Sequence, residues 1–214
     1  KNFWRYSQCE VFVLFVCQGT DFDRDKVVSI LGKTCAFDCI ETHQPSLSAK
    51  RNVGVKYAHR HNFDFCYFQD SFVYCSESFV RASNQFLESR FDFMYSNIEW
   101  SDYRENEESV PMIGSSREVD SSVLRGFLWR YFFRVHALDG VLFNESVGVG
   151  ADTRIQAAED SLFLLRMNQR NPKWLVSFYP NSLVFHPPRP SDFSKHVKYS
   201  YAQAVFFRYL IGQQ

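Results

Sequence analysis

Glu159 and Asp160 stand side by side where a glycine-bearing loop, Val147-Gly148-Val149-Gly150-Ala151-Asp152, gives way to an amphipathic segment with Leu164-Leu165-Arg166. A carboxylate at such a junction can take a proton from an attacking hydroxyl that lies within about 3 Å of it. Its neighbour can orient it, or act as the base in its place. The start of a helix favours the ionised form of both. The same pair is also an ordinary complement to a helix dipole, so the rest of the chain decides between the two readings. Asp70 closes an apolar run, Phe63 to Phe68, and serves either as a ligand-holding carboxylate or as a strand-end turn residue. Arg51-Asn52 sits at a helix start, and His186 lies between Phe185 and Pro187. Cys35, Cys39 and His43 are spaced by four, but they lack a fourth ligand and a CxxC knuckle, which disfavours zinc.

The elements that must position these groups follow from patterning. Val11 to Val16 is β-branched and aromatic without polar alternation, the pattern of a strand buried on both faces. Asp21 to Leu31 reads as a helix stopped by Gly32, Ala36 to Thr42 as a strand, and Ser48 to His61 as a helix. Phe63 to Phe68 and Phe91 to Trp100 read as strands flanking a helix over Glu77 to Glu88. This alternation predicts an α/β domain with a largely parallel sheet, whose ligands bind beyond the carboxyl ends of the strands. Asp21, Asp70 and Arg51-Asn52 would face that rim. Glu105 to Asp120 is a polar connection, Phe127 to Phe133 a strand, Glu159 to Asn168 a helix, Leu183 to Phe185 a short strand, and Lys195 to Ile211 a terminal helix.

Length and charge bound the class. The 214 residues suffice for one domain with a full core, and 24 basic against 24 acidic residues leave no net charge. Phosphate recognition along a nucleic acid needs a basic excess, so a nucleic-acid partner is not expected. The longest apolar run is far too short to span a bilayer, and Lys1-Asn2-Phe3-Trp4-Arg5 does not start a secretory signal. The six cysteines lie largely in apolar runs and read as free thiols of a reducing, cytoplasmic setting. The 18% aromatic content supplies core, and Trp100, Trp129 and Tyr131 are the candidates for stacking on a sugar.

Four segments, in order, resemble glycosyltransferase family 2, a family with the GT-A fold. Leu47-Ser48-Ala49-Lys50-Arg51-Asn52-Val53-Gly54-Val55 is similar to its "lsaaRNxGi" stretch, and Phe68-Gln69-Asp70-Ser71-Phe72 stands in register with its D-x-D segment. Phe143-Asn144-Glu145-Ser146-Val147-Gly148-Val149-Gly150-Ala151 resembles its "FdExlGvGa" loop. Ala158-Glu159-Asp160-Ser161 with Leu164-Leu165-Arg166 resembles its "geDtdfLlR" segment. The resemblance implies a single α/β domain with a GT-A (Rossmann-like), mostly parallel central sheet flanked by helices. Residues 1–100 would form the nucleotide-sugar half, 101–190 the acceptor and catalytic half, and 191–214 a C-terminal helix. It implies inverting transfer of a sugar from a nucleotide-sugar donor to a glycan or lipid-linked glycan, in bacterial surface-polysaccharide assembly. Asp160 would be the base with Glu159 beside it. Asp70, Arg51, Asn52, Asp21 and Cys17 would form the donor side, and Gly148, Gly150 and Trp129 the acceptor side.

The departures fall on the donor side. The family's first strand and helix would precede residue 1. Cys17 stands where the family carries an Asp toward the nucleoside base, and Phe72 replaces the second Asp of D-x-D. A phenyl ring cannot ligate Mg²⁺ or Mn²⁺, which take oxygen. A divalent cation would therefore rest on Asp70 and His186, or its work would fall to Arg51, Arg189, Lys195 or Lys198 on the leaving phosphates. A different class, a non-catalytic GT-A-like domain that binds a glycan or a partner, accounts for the same departures. The terminal helix, with Lys195, Lys198 and Arg208 beside Tyr199, Tyr201, Phe206, Phe207 and Tyr209, would dock on the domain, on a second copy, or at the inner face of the membrane.

Overall fold

The computed structural model describes residues 9–19, 22–32, 35–102, 115–117, 121–124, 126–188 and 193–211. Its elements are β1 (Phe12–Gln18), α1 (Arg24–Leu31), β2 (Ala36–Thr42), α2 (Leu47–Arg60), β3 (Phe65–Tyr67), β4 (Tyr74–Cys75), α3 (Glu77–Leu87), β5 (Phe93–Glu99), β6 (Ser115–Arg117), α4 (Ser121–Leu124), β7 (Tyr131–Arg134), α5 (Val135–Leu138), α6 (Glu159–Arg170), β8 (Val176–Phe185) and α7 (Phe193–Ile211). Side-chain caps start the early helices. Asp23 accepts from the Lys26 amide at 2.9 Å, Ser46 from Ala49 at 3.4 Å and Ser76 from Phe79 at 2.9 Å. Gly32, at φ +60°, ends α1.

The α/β class stands, but the sheet is mixed rather than mostly parallel. β1 and β2 pair in parallel as a sheet of two, and the other strands form a sheet of six in the order β3-β7-β5-β8-β4, with β6 also on β8. β5 and β8 run parallel. β7 lies antiparallel between β3 and β5, and β4 and β6 pair antiparallel with β8. A strand buried on both faces reads as one apolar run, and that pattern carries no direction. The two halves expected from the sequence thus share one sheet.

The reversal of β7 matters for the site. β3 and β5 both oppose β7, so their carboxyl ends meet that of β8 and the amino end of β7 at one rim. Asp70 follows β3, Trp100 follows β5, His186 follows β8, and Leu128-Trp129-Arg130, a 3-10 turn instead of the expected strand, precedes β7. Alternate residues of β5 and β7 enter two cores. Phe93, Tyr95, Tyr131 and Phe133 pack with Leu162 to Leu165 of α6, while Met94 and Phe132 pack with Phe79 and Phe86 of α3. β8 begins seven residues before the short strand expected at Leu183. Its middle, Pro180-Asn181-Ser182, is a bulge opposite Ser96 and Asn97, and a Pro-Asn pair reads as a turn in sequence. Most of the polar connection from Glu105 to Asp120 lies outside the described residues, apart from β6.

Candidate active site

One arginine organises the rim. Arg51, one turn into α2, is only 7% exposed and reaches three carboxylates. Its Nη1 contacts Asp160 Oδ1 directly and lies 3.8 Å from Glu159 Oε1, and its Nη2 is 3.4 Å from Asp70 Oδ1. The guanidinium also lies over the Phe143 ring at 5.6 Å, and that ring stacks on Phe163 of α6 at 4.0 Å. Burial pushes the guanidinium down, but Asp160, Asp70 and Glu159 together hold it above its ordinary value. Asp160 is fixed a second time, because its Oδ2 accepts the Leu128 amide at 3.0 Å. The turn before β7 therefore anchors the same carboxylate that α2 pairs.

The acids outnumber the base, and the site shows it. Burial, followed by the charge of Asp160, lifts Glu159 to about 7, with Arg51 pulling the other way. Burial also raises Asp70, and Arg51 and His186 counter it. The helix dipole that favours ionised carboxylates does not win at Glu159, whose side chain is only 10% exposed. Ala158, which opens α6, has φ +70° and offers no capping oxygen. A non-glycine residue in this region carries strain of order 1 kcal/mol, located directly before the acid pair.

Asn52, placed on the donor side by resemblance, clamps the loop that follows β7 and α5. It is 2% exposed, its Nδ2 donates to Phe143 O at 3.1 Å and Glu145 Oε1 at 2.9 Å, and its Oδ1 accepts from the Phe143 amide at 2.7 Å. Ser48 Oγ donates to Val147 O at 2.6 Å, and the Leu47 amide donates to Val149 O at 2.9 Å. The start of α2 thus grips the whole 143–149 loop. Gly148 and Gly150 serve that grip. A Cβ on Gly148 would lie 2.9 Å from Glu159 Cβ, and one on Gly150 only 2.4 Å from the Pro45 carbonyl oxygen. Gly150 also sits at φ +77°. Gly150→Ala is expected to destabilise the fold by about 2 kcal/mol or more, read as a lower urea midpoint; an unchanged midpoint would show that the loop yields freely.

The remaining sequence candidates separate. Trp129 is 2% exposed and Tyr131 0%, because both rings pack in the cores. Trp100, 42% exposed, is the indole that reaches the rim, edge-on to Phe127 at 5.8 Å and to Trp129 at 6.2 Å. His186 packs 5.1 Å from Trp100 and 5.5 Å from Trp129. Cys17 lies on the two-stranded sheet with its thiol 3.7 Å from that of Cys39, and no hydrogen bond among the described residues joins it to the acids. Asp21 and Arg189 lie outside the described residues, as do the side chains of Lys195 and Lys198. The Leu128 amide was not legible in sequence, since no side-chain type signals a backbone donor.

The residues at the rim can hold a divalent cation only in part. His186 Nδ1 lies 2.6 Å from Pro187 O, and a carbonyl only accepts. In the neutral ring Nδ1 therefore carries the proton and Nε2 presents its lone pair, as a ligand requires. Asp70 adds one carboxylate, while Phe72 stands 69% exposed without an oxygen. Among the described residues no three His, Cys, Asp or Glu side chains are grouped so as to hold a metal ion by themselves. Asp70 and His186 fit a cation whose other ligands come from a diphosphate and water, the usual habit of Mg²⁺.

No protein-family model matches the sequence, and no curated protein does. Solved structures do match. S. aureus TarS 1–349 in complex with UDP-GlcNAc aligns over 90% of this chain and 55% of that one, at 16% identity and a TM-score of 0.64. The UDP complex aligns over 90% and 56%, at 17% and 0.63. A structure of TarS aligns over 90% and 34%, at 19% and 0.60. The chain has the GT-A fold. At these identities the likeness is one of fold, and the chain spans 55% of the length of TarS 1–349. TarS is a family 2 glycosyltransferase. The GT-A rim of this chain is the one that carries Asp70, Trp100, His186 and the Arg51 cluster.

Proposed function

We propose that the chain transfers a sugar from a nucleotide-sugar donor to a hydroxyl acceptor with inversion, as a glycosyltransferase of the family 2 type. The observation that carries the reading is the Arg51 bridge, which ties Asp70 on one side to Glu159 and Asp160 on the other. Asp160 stands at the Asp of the segment that resembles the family's catalytic stretch, and it accepts the proton of the attacking hydroxyl. Arg51 and the Leu128 amide fix its orientation, so little is left to reorganise at the moment of transfer. Asp70 and His186 face the leaving diphosphate, and a bound cation would supply charge neutralisation there. The fold of TarS, which binds UDP-GlcNAc and UDP, supports a nucleotide-sugar donor. The expected acceptor is a glycan or a lipid-linked glycan.

The test is calorimetric titration with UDP and UDP-GlcNAc, with and without Mn²⁺. Binding that strengthens with Mn²⁺ is expected. No binding of any nucleoside diphosphate or its sugar at millimolar ligand would sink the transferase reading. Binding that ignores Mn²⁺ would remove the cation from it. The exposed Phe72 and the altered Cys17 favour a second reading, a GT-A domain that binds its ligand without turnover, and measured sugar transfer would eliminate it.

Glu159 is the alternative base because its value near 7 suits proton transfer at neutral pH. Its native value lies above the ordinary 4.5, so the folded state binds more protons than the unfolded state between these values. Stability therefore falls as pH rises from 4.5 to about 7, by roughly 3 kcal/mol at most. Glu159→Gln is expected to remove that slope, measured as urea midpoint against pH, and to retain turnover while losing the inflection near neutrality. Abolished turnover would move the base to Glu159.

A further inference from the structure

Arg51 and Arg134 are arginines whose charge the fold answers. Arg51 meets three carboxylates, and Arg134 donates to the backbone carbonyls of Phe91 and Leu87 at 2.8 and 3.2 Å. Arg130 is built differently. It ends the 3-10 turn Leu128–Arg130 and is partly buried. Its guanidinium lies over the ring of Tyr95 at 4.8 Å and that of Tyr131 at 5.7 Å. Its Nε is sealed from solvent without a hydrogen-bond partner. The two Nη nitrogens are not sealed in this way, and no carboxylate or carbonyl among the described residues accepts from them. Burial pushes the guanidinium below its ordinary value, and no carboxylate among the described residues pulls it back. A half-buried cation without an acceptor is unfavourable for the fold alone to keep. The ring faces hold its plane but supply no acceptor in that plane, whereas the paired oxygens of a carboxylate or phosphate match the two terminal nitrogens.

The place of Arg130 says which anion it suits. The turn that it ends gives its first amide, that of Leu128, to Asp160. The rings beneath Arg130 belong to the core that Leu162 to Leu165 of α6 complete, so the guanidinium stands on the α6 side of the sheet, as Asp160 does. Trp129, one residue earlier, packs in the other core and has His186 against its ring at 5.5 Å. Consecutive residues of one turn thus serve the two sides of the rim. Trp129 backs the histidine assigned to the leaving diphosphate, and Arg130 stands on the side of the base.

We propose that Arg130 receives an oxyanion, a phosphate or carboxylate group, carried by the acceptor, and so selects an acidic acceptor over a neutral one. The assignment to the acceptor rests on the transferase reading. The experiment follows the Arg130 Nε–H and the backbone amides of residues 128–131 by ¹H–¹⁵N NMR of the whole chain. Inorganic phosphate, and separately glucuronate, is added with and without saturating UDP and Mg²⁺. Binding of at least one anion is expected at Arg130, undiminished by UDP, and the tighter of the two names the group that the acceptor carries. Arg130→Met is expected to weaken it roughly tenfold or more. Methionine keeps the stem against Tyr95 and Tyr131, so the urea midpoint of this variant is expected to stay or to rise. A clearly lowered midpoint would show that the fold itself answers the charge, and would overturn the proposal. So would resonances that neither anion moves, or equal binding to the variant. Displacement of the anion by UDP would give Arg130 to the leaving diphosphate and overturn it as well. Failure of UDP to bind is a separate result: it sinks the transferase reading, while the response of Arg130 to phosphate still confirms or refutes the anion site.

Discussion

Arg51→Met is expected to be the most damaging single change in the chain, lowering both stability and turnover. Methionine keeps the volume against Phe143 and removes the cation that, among the described residues, reaches Asp70, Glu159 and Asp160 together. Breaking a buried ion pair on one side leaves uncompensated charge and typically costs about 3–5 kcal/mol. Here two or three carboxylates are left facing one another. Their protonation in the folded state then becomes favourable, so the variant binds more protons than the unfolded chain as pH falls. The deficit should therefore shrink at mildly acid pH and grow toward neutral pH. Urea unfolding of both proteins across pH reads this directly. A deficit under about 1 kcal/mol at neutral pH, or one that does not vary with pH, would show that the bridge holds little of the fold. Arg51→Lys should rescue only part of the loss, since one ammonium cannot span the separation that two guanidinium nitrogens cover.

Asp160→Asn should abolish transfer while sparing nucleotide binding. Asparagine matches the shape, and its oxygen can still accept the Leu128 amide, but it cannot take a proton from an acceptor hydroxyl. Loss of a general base lowers kcat by roughly 10²–10⁴. Donor affinity should stay near wild type, because Asp70 and His186 are untouched. A second readout separates this role from mere packing. The charge of Asp160 helps to raise Glu159, so Glu159 should titrate below its value of about 7 in the variant, as followed by carboxyl ¹³C NMR. Turnover retained in Asp160→Asn would refute the assignment. An unshifted Glu159 would show that burial alone sets its value.

Much of this was legible in sequence, and the gaps have physical causes. The five longer helices were placed to within a few residues because caps and stops are local chemistry, as at Gly32, while α4 and α5, about one turn each, were missed because four residues carry no helical period. Ala36–Thr42 was read with its observed limits. β4 was missed because two residues carry no period, and β8 was cut short because Pro180-Asn181 reads as a turn although it is a bulge. The direction of β7 was unreadable, since a strand buried on both faces looks the same either way.

At the site, the sequence by itself determined which chemical groups exist and in what order: an acid pair at a helix start, a lone Asp after a strand, and an Arg-Asn pair at another helix start. Tertiary structure decided how they are divided. Adjacent in the chain, Arg51 and Asn52 turn to different tasks, one to the acid cluster and the other to the Phe143 backbone and the Glu145 side chain. Trp129 went to the core and Trp100 to the rim, a division that only the packing of their separate segments decides. Neighbours on a helix point about 100° apart, and only the packed domain fixes which direction meets charge, backbone or solvent.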